Sequence, residues 1–96
     1  MPAPYSLKLS LEARDTLDKL RRRDQRKYKK VEATLAKLRD PGPSYPGLQS
    51  HKMKGLPKNE TVFIIYVENH TSSAWRITWK WWGDSTIAVV SIHPHD

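Results

Sequence analysis

From Trp75 to Trp81 the chain alternates without a break: Trp75, Ile77, Trp79 and Trp81 fall on one side, and Arg76, Thr78 and Lys80 on the other. A period of two is the signature of a strand with one face in a core. The turn at Gly83-Asp84 leads into a second apolar strand, Thr86 to Ile92, which ends in His93-Pro94-His95-Asp96. Val62 to Glu68 is a nearly continuous apolar run and reads as a strand covered on both faces. Asn69 to Ser73 reads as the hairpin loop between it and the Trp-rich strand. Near the start, Tyr5-Ser6-Leu7-Lys8-Leu9 alternates as a short strand with Tyr5, Leu7 and Leu9 inward.

Two segments carry the helical rhythm instead. Ser10 suits an N-cap with Glu12 in the first turn, and Ala13, Leu17 and Leu20 recur at spacings of three and four. Asp24 suits the cap of a second helix, with Tyr28, Val31, Leu35 and Leu38 on one stripe. Asp40-Pro41-Gly42-Pro43 ends it, because proline cannot continue the hydrogen-bond ladder. Residues 41–58 form a loop segment punctuated by Pro41, Pro43, Pro46 and Pro57. The expected order is β-α-α-β-β-β. The fold class is α+β, a small antiparallel sheet with an N-terminal two-helix hairpin packed on it, in a single domain over residues 1–96.

Length makes the aromatic residues core by default. A 96-residue chain buries only roughly 60–65% of its unfolded surface, so four Trp, four Tyr and one Phe are hard to spare. The absence of Cys excludes a disulfide framework and thiolate chemistry. Met1-Pro2-Ala3-Pro4 has no signal-peptide pattern, and no apolar run reaches the roughly 18–20 residues of a membrane span. A cytoplasmic protein without a membrane is expected.

The net charge is +7, and it is unevenly placed. Residues 1–40 hold 12 Lys/Arg against 6 Asp/Glu, whereas residues 41–96 hold 5 against 4. The excess peaks in Arg21, Arg22, Arg23, Arg26, Lys27, Lys29 and Lys30. Such a run either keeps a helical face solvated or draws in polyanions.

Three clusters could meet on one surface: Lys52 and Lys54, Arg76 and Lys80, and His93 and His95. Glu68 closes a strand nearby. Metal-independent RNA cleavage needs little more. A base takes the 2′-hydroxyl proton, an acid protonates the leaving 5′-oxygen, and cations offset charge on the phosphoryl oxygens. Histidine suits either proton role, and the arginine fork suits a phosphate. The plainer alternatives are an Arg76 packed across the sheet, solvated loop lysines and exposed terminal histidines. His93-x-His95 alone is a weak zinc pattern, and neither a metal nor another cofactor is expected. No phosphate-cradling glycine loop, Ser-His-Asp pattern or carboxylate pair is visible.

Taken together, the Tyr5–Leu9 strand, the basic helix hairpin ending at Asp40-Pro41, Gly47-Leu48-Gln49-Ser50-His51-Lys52-Met53-Lys54-Gly55, Trp75-Arg76-Ile77-Thr78-Trp79 and Ile92-His93-Pro94-His95 resemble the RelE/ParE superfamily of toxins from bacterial type II toxin–antitoxin modules. The resemblance spans nearly the whole chain. It implies a sheet wrapped by two helices and, in the RelE-like branch, a ribosome-dependent mRNA endonuclease that inhibits translation. Residue by residue, it implies that Lys52 and Lys54 match loop lysines at the scissile phosphate, Arg76 the strand arginine, and His95 or His93 the terminal histidine. Arg21, Arg22, Arg23, Arg26, Lys27, Lys29, Lys30 and Lys80 would meet RNA or the ribosome. The run Val62–Val67 lacks the family's arginine, Asp96 stands where Tyr or Arg often works, and Pro46-Gly47-Leu48 lacks a basic carboxylate, for which Glu68 is the nearest substitute. The implied partners are a cognate acidic antitoxin in a hetero-oligomer, the ribosome and mRNA. The alternatives are a ParE-like DNA gyrase inhibitor without nuclease activity and a non-toxic nucleic-acid-binding module.

Overall fold

A computed structural model describes residues 5–68 and 74–94. The elements run β1 (Ser6–Leu9), α1 (Leu11–Arg23), α2 (Gln25–Arg39), a 3-10 turn (Pro46–Leu48), β2 (His51–Lys52), β3 (Phe63–Tyr66), β4 (Trp75–Trp81) and β5 (Thr86–Pro94). The α+β class and the helix hairpin are as expected. One five-stranded sheet forms, in the order β1-β5-β4-β3-β2. β3, β4 and β5 make the expected antiparallel meander. The sheet as a whole is mixed, because β1 joins β5 in parallel, Ser6 opposite Thr86 and Leu9 opposite Val89. A parallel neighbour requires a long crossover, and the helix hairpin begins it. β2, two residues at the far edge, was hidden in the loop segment.

The helix boundaries follow from local chemistry. Ser10 Oγ accepts from the Ala13 amide at 3.0 Å, and Asp24 Oδ1 accepts from the Lys27 amide at 3.0 Å. α2 stops at Asp40, and the Gly42 amide reaches back to the Lys37 carbonyl at 3.0 Å. Gly42 has φ of +118°, and a Cβ there would run into the Tyr5 ring. Gly83, at φ +84°, makes the turn between β4 and β5.

One sheet face carries the core. Ile65, Ile77, Trp79, Ile87, Val89 and Ile92 pack with Ala13, Leu20, Val31, Leu35 and Leu38 of the helices. Trp79 is its largest buried member. Its ring stacks on Phe63 at 4.5 Å and meets the edge of Trp81 at 5.2 Å. Trp79 Nε1 donates to Ser50 Oγ at 3.3 Å, which ties the Pro-rich loop to the sheet. The alternation expected in β4 holds, but Trp81 lies at the core's margin, 41% exposed and packed on Tyr5.

β5 is less regular. Trp79 pairs with Val89 and Thr78 with Ser91, so Val90 is an extra residue. Such a bulge reverses which face later side chains take. Before it, Ile87 and Val89 point to the core; after it, Ile92 does. Ser10 stabilises the bulge: its amide donates to the Val89 carbonyl at 3.0 Å and its hydroxyl to the Val90 carbonyl at 2.6 Å.

Ser10 therefore caps α1 and holds the bulge together. Ser10→Ala is expected to lower stability by about 1–2 kcal/mol, and Trp79→Ala by about 3–5 kcal/mol, in urea unfolding followed by circular dichroism.

Candidate active face

The sheet face opposite the helices is built by register. Arg76, on the central strand β4, is the Cα partner of Tyr66 on β3 and of His93 on β5. Neighbouring strands lie about 4.8 Å apart, so the row Tyr66–Arg76–His93 spans about 10 Å, a dimension suited to a phosphate and its two flanking groups. One rung on, Thr78 and Ser91 share a hydrogen bond between their hydroxyls at 2.5 Å. Beyond the bulge, Lys80 stands opposite Ala88. β2 extends the face at its other edge, where the His51 ring stacks on Tyr66 at 5.7 Å.

Arg76 is half-buried, and its Nε is enclosed with no hydrogen-bond partner among the described residues. A buried donor left unmet costs about 1–3 kcal/mol, more when charged, so an oxyanion with two acceptor oxygens would satisfy it. His93 Nδ1 lies 3.0 Å from the Pro94 carbonyl oxygen. Because a carbonyl only accepts, that contact calls for a proton on Nδ1. In the neutral ring it leaves the Nε2 lone pair available as a base. His51 has the same arrangement, with Nδ1 3.0 Å from the Gln49 carbonyl oxygen.

The residues singled out in the sequence divide between surfaces. Arg76, His93 and Lys80 share the face. Lys52 alternates to the other side of β2 from His51 and stands opposite Phe63. With Glu60, Thr61 and Lys80 it lines a cleft of about 490 Å³ at the sheet's edge. Lys54 is exposed in the loop that follows. His95 and residues 69–73, the expected hairpin loop with His70, lie outside the described residues. Sequence reasoning missed Tyr66 and His51 as members of the face. Tyr66 is the one polar-tipped ring in an apolar run. His51 stands out in the sequence only within the Gly47–Gly55 block, since β2 is too short to show a period.

The chain matches no family model and no curated protein. Its architecture is nonetheless found among solved structures. A YoeB/ParE toxin from Agrobacterium tumefaciens superposes with a TM-score of 0.75 at 16% identity, over 95% of this chain and 99% of that one. A YoeB dimer from Staphylococcus aureus gives 0.74 at 18% identity, over 98% and 100%. A copper-bound mutant toxin from Helicobacter pylori gives 0.65 at 18%, over 95% and 94%.

The chain has the YoeB/ParE toxin fold.

That is the fold which the resemblance to the RelE/ParE superfamily implied. In this YoeB/ParE toxin fold the basic run sits on the helix layer, across the sheet from Arg76. Arg21 and Arg22 share Asp18, at 2.8 and 3.2 Å. Hydrogen bonding to Arg21, aided by the charge of Arg22, holds the Asp18 carboxyl below the usual range. Arg23, Arg26 and Lys29 are exposed. Lys27 is half-buried and forms an ion pair with Glu68, whose other carboxylate oxygen is 3.6 Å from Lys30. Glu68 thus ties α2 to the end of β3. That position binds it to the helix layer rather than offering it as a base beside Arg76. Among the described residues no group of three or more His, Cys, Asp or Glu could hold a metal ion, and no helix is long and apolar enough to cross a membrane.

The Lys27–Glu68 pair is shielded enough to couple measurably. A double-mutant cycle with Lys27→Met and Glu68→Gln is expected to give an interaction energy of about 0.5–3 kcal/mol by chemical unfolding. A value of zero would mean that the pair does not brace the hairpin.

Proposed function

We propose that the chain is the toxin of a bacterial toxin–antitoxin pair and that it cuts mRNA on the ribosome. The observation that carries this reading is the row Tyr66–Arg76–His93, with a buried Arg76 donor that an anion would complete. The toxin neighbours of the same fold support it.

In the proposed reaction Arg76 binds the non-bridging oxygens of the scissile phosphate and offsets the charge that grows on them. His93, through Nε2, takes the proton of the 2′-hydroxyl, and the 2′-oxygen attacks phosphorus. The bond to the 5′-oxygen breaks, and an acid delivers a proton to that oxygen. The products are a 2′,3′-cyclic phosphate and a 5′-hydroxyl end. His51, beside Tyr66 on the same face, and His95 are the candidates for the acid. Lys52 and Lys54 hold neighbouring phosphates from the edge of the sheet. No metal or other cofactor enters the scheme.

The helix layer has a separate task. Its exposed cations, Arg23, Arg26 and Lys29 with Arg21, Arg22 and Lys30, lie across the sheet from the cleavage row. These meet ribosomal RNA through phosphate contacts, while the message lies on the other face; Lys27, paired with Glu68, braces the layer instead. The cognate antitoxin is acidic, partly disordered before binding, and neutralises this surface in a hetero-oligomer in the cytoplasm.

Induction in bacteria, with primer extension on an abundant message, tests the reading. Wild type is expected to arrest growth and to cut within translated codons. Arg76→Ala should reduce cleavage by about 10²–10³-fold and His93→Ala by about 10²–10⁴-fold, with folding unchanged. His51→Ala and His95→Ala, run beside them, identify the acid. Arrest with intact messages would place the target elsewhere, at gyrase for example. Retained cutting by Arg76→Ala would refute the assigned role.

A further inference from the structure

The same sheet face continues past Lys80 to an exposed aromatic ring. Trp82, 54% exposed, follows β4 directly, and its amide donates to the Thr86 carbonyl at 2.9 Å. Alternation places Trp82 with Arg76, Thr78 and Lys80 rather than with the core rings. Lys8, the Cα partner of Ala88, holds its ammonium 4.5 Å from the centre of the Trp82 ring. Lys80, Trp82, Lys8 and Ala88 line a shallow, mainly apolar depression of about 230 Å³, with Ser10 and Val90 at its end.

An exposed indole is poorly explained by the core, which is complete without it. Burying it against a protein partner would also desolvate two flanking ammonium groups, which is costly unless each finds a counter-charge. A nucleotide supplies what this spot lacks: a flat π-face for the ring and a phosphate for the cations. The strand rise puts Lys80 about 13 Å along β4 from Arg76, so one extended strand of RNA could cover both. We propose that Trp82, flanked by Lys8 and Lys80, is a base-stacking subsite for the single-stranded RNA whose scissile phosphate is held at Arg76. The inference rests on the RNA-cleaving reading of that face and extends it by one subsite.

The test is fluorescence anisotropy at low salt with a short single-stranded RNA that 2′-O-methyl groups protect from cleavage, using the full chain. Trp82→Ala is expected to weaken binding by about 5- to 150-fold, the equivalent of the 1–3 kcal/mol typical of one base–aromatic stack. Trp82→Phe, which keeps a π-face, should restore binding to within a few-fold of wild type. Lys8→Gln should lower the slope of log affinity against log salt by about 0.7, the value for one phosphate contact on a single strand. Circular dichroism confirms that each variant is folded. Wild-type affinity in Trp82→Ala would overturn the subsite while leaving the cleavage reading intact. Wild-type affinity together with loss of self-association in sedimentation would assign the ring to a second copy of the chain, and would also overturn it. Failure of the cleavage reading shows separately, as growth arrest with intact messages on induction of the wild-type chain.

Discussion

The extra residue in β5 is the constraint on which the candidate site depends. A strand that alternated strictly from Ile87 and Val89 would send Ser91 and His93 to the core and Ile92 to solvent. Val90 shifts the pairing between Thr78 and Trp79 by one, and the parity reverses. Ile92 then fills the core and His93 comes to stand opposite Arg76. The same bulge is where β1 stops pairing, where the chain turns into α1, and where Ser10 binds two successive carbonyls. Helix start, parallel strand and site geometry are therefore fixed by one local irregularity.

The two faces of the sheet are under opposite demands. Toward the helices, Trp79 and its neighbours must be dry and well packed, because a chain of this size has little other apolar surface to bury. On the other face, Arg76 keeps an enclosed donor with no partner among the described residues, which folding alone does not favour. Groups that cost stability and are nevertheless held in place are better accounted for by what they bind than by what they support. The Thr78–Ser91 hydroxyl pair, next along the strands, satisfies itself and separates the Arg76 row from the Lys80 and Trp82 end.

Charge is also divided. The helix layer carries most of the excess, partly offset by Asp18 and Asp15 on its own surface. Lys27 is half-buried against Glu68, with Lys30 3.6 Å from the other carboxylate oxygen, so part of what looks in the sequence like a docking run serves to brace α2 against β3. The sheet face has fewer cations, placed singly along one strand and its neighbours. A spread of charge suits attachment to a large polyanion, whereas single cations at register positions suit the handling of one strand.

What the sequence determined by itself was local. The caps at Ser10 and Asp24, the stop at Asp40-Pro41, the helical stripes and the alternation of Arg76, Thr78 and Lys80 against Ile77 and Trp79 all follow from periodicity and from hydrogen bonds within a few residues. The motif blocks carried the likeness in fold as well, since their order along the chain reflects the order of elements. The tertiary structure decided what depends on distant pairing. The parallel β1–β5 contact, the two-residue β2, the entry of Tyr66 into the Arg76 row and of His51 onto the same face, and the removal of Lys52 to the other side of its strand are set by register between segments far apart in the chain. In the apolar run Thr86 to Ile92 a period of two cannot reveal where it slips. Only the neighbouring strand, with Thr78 and Trp79 fixed by the core, determines which residue is left over and which histidine faces the arginine.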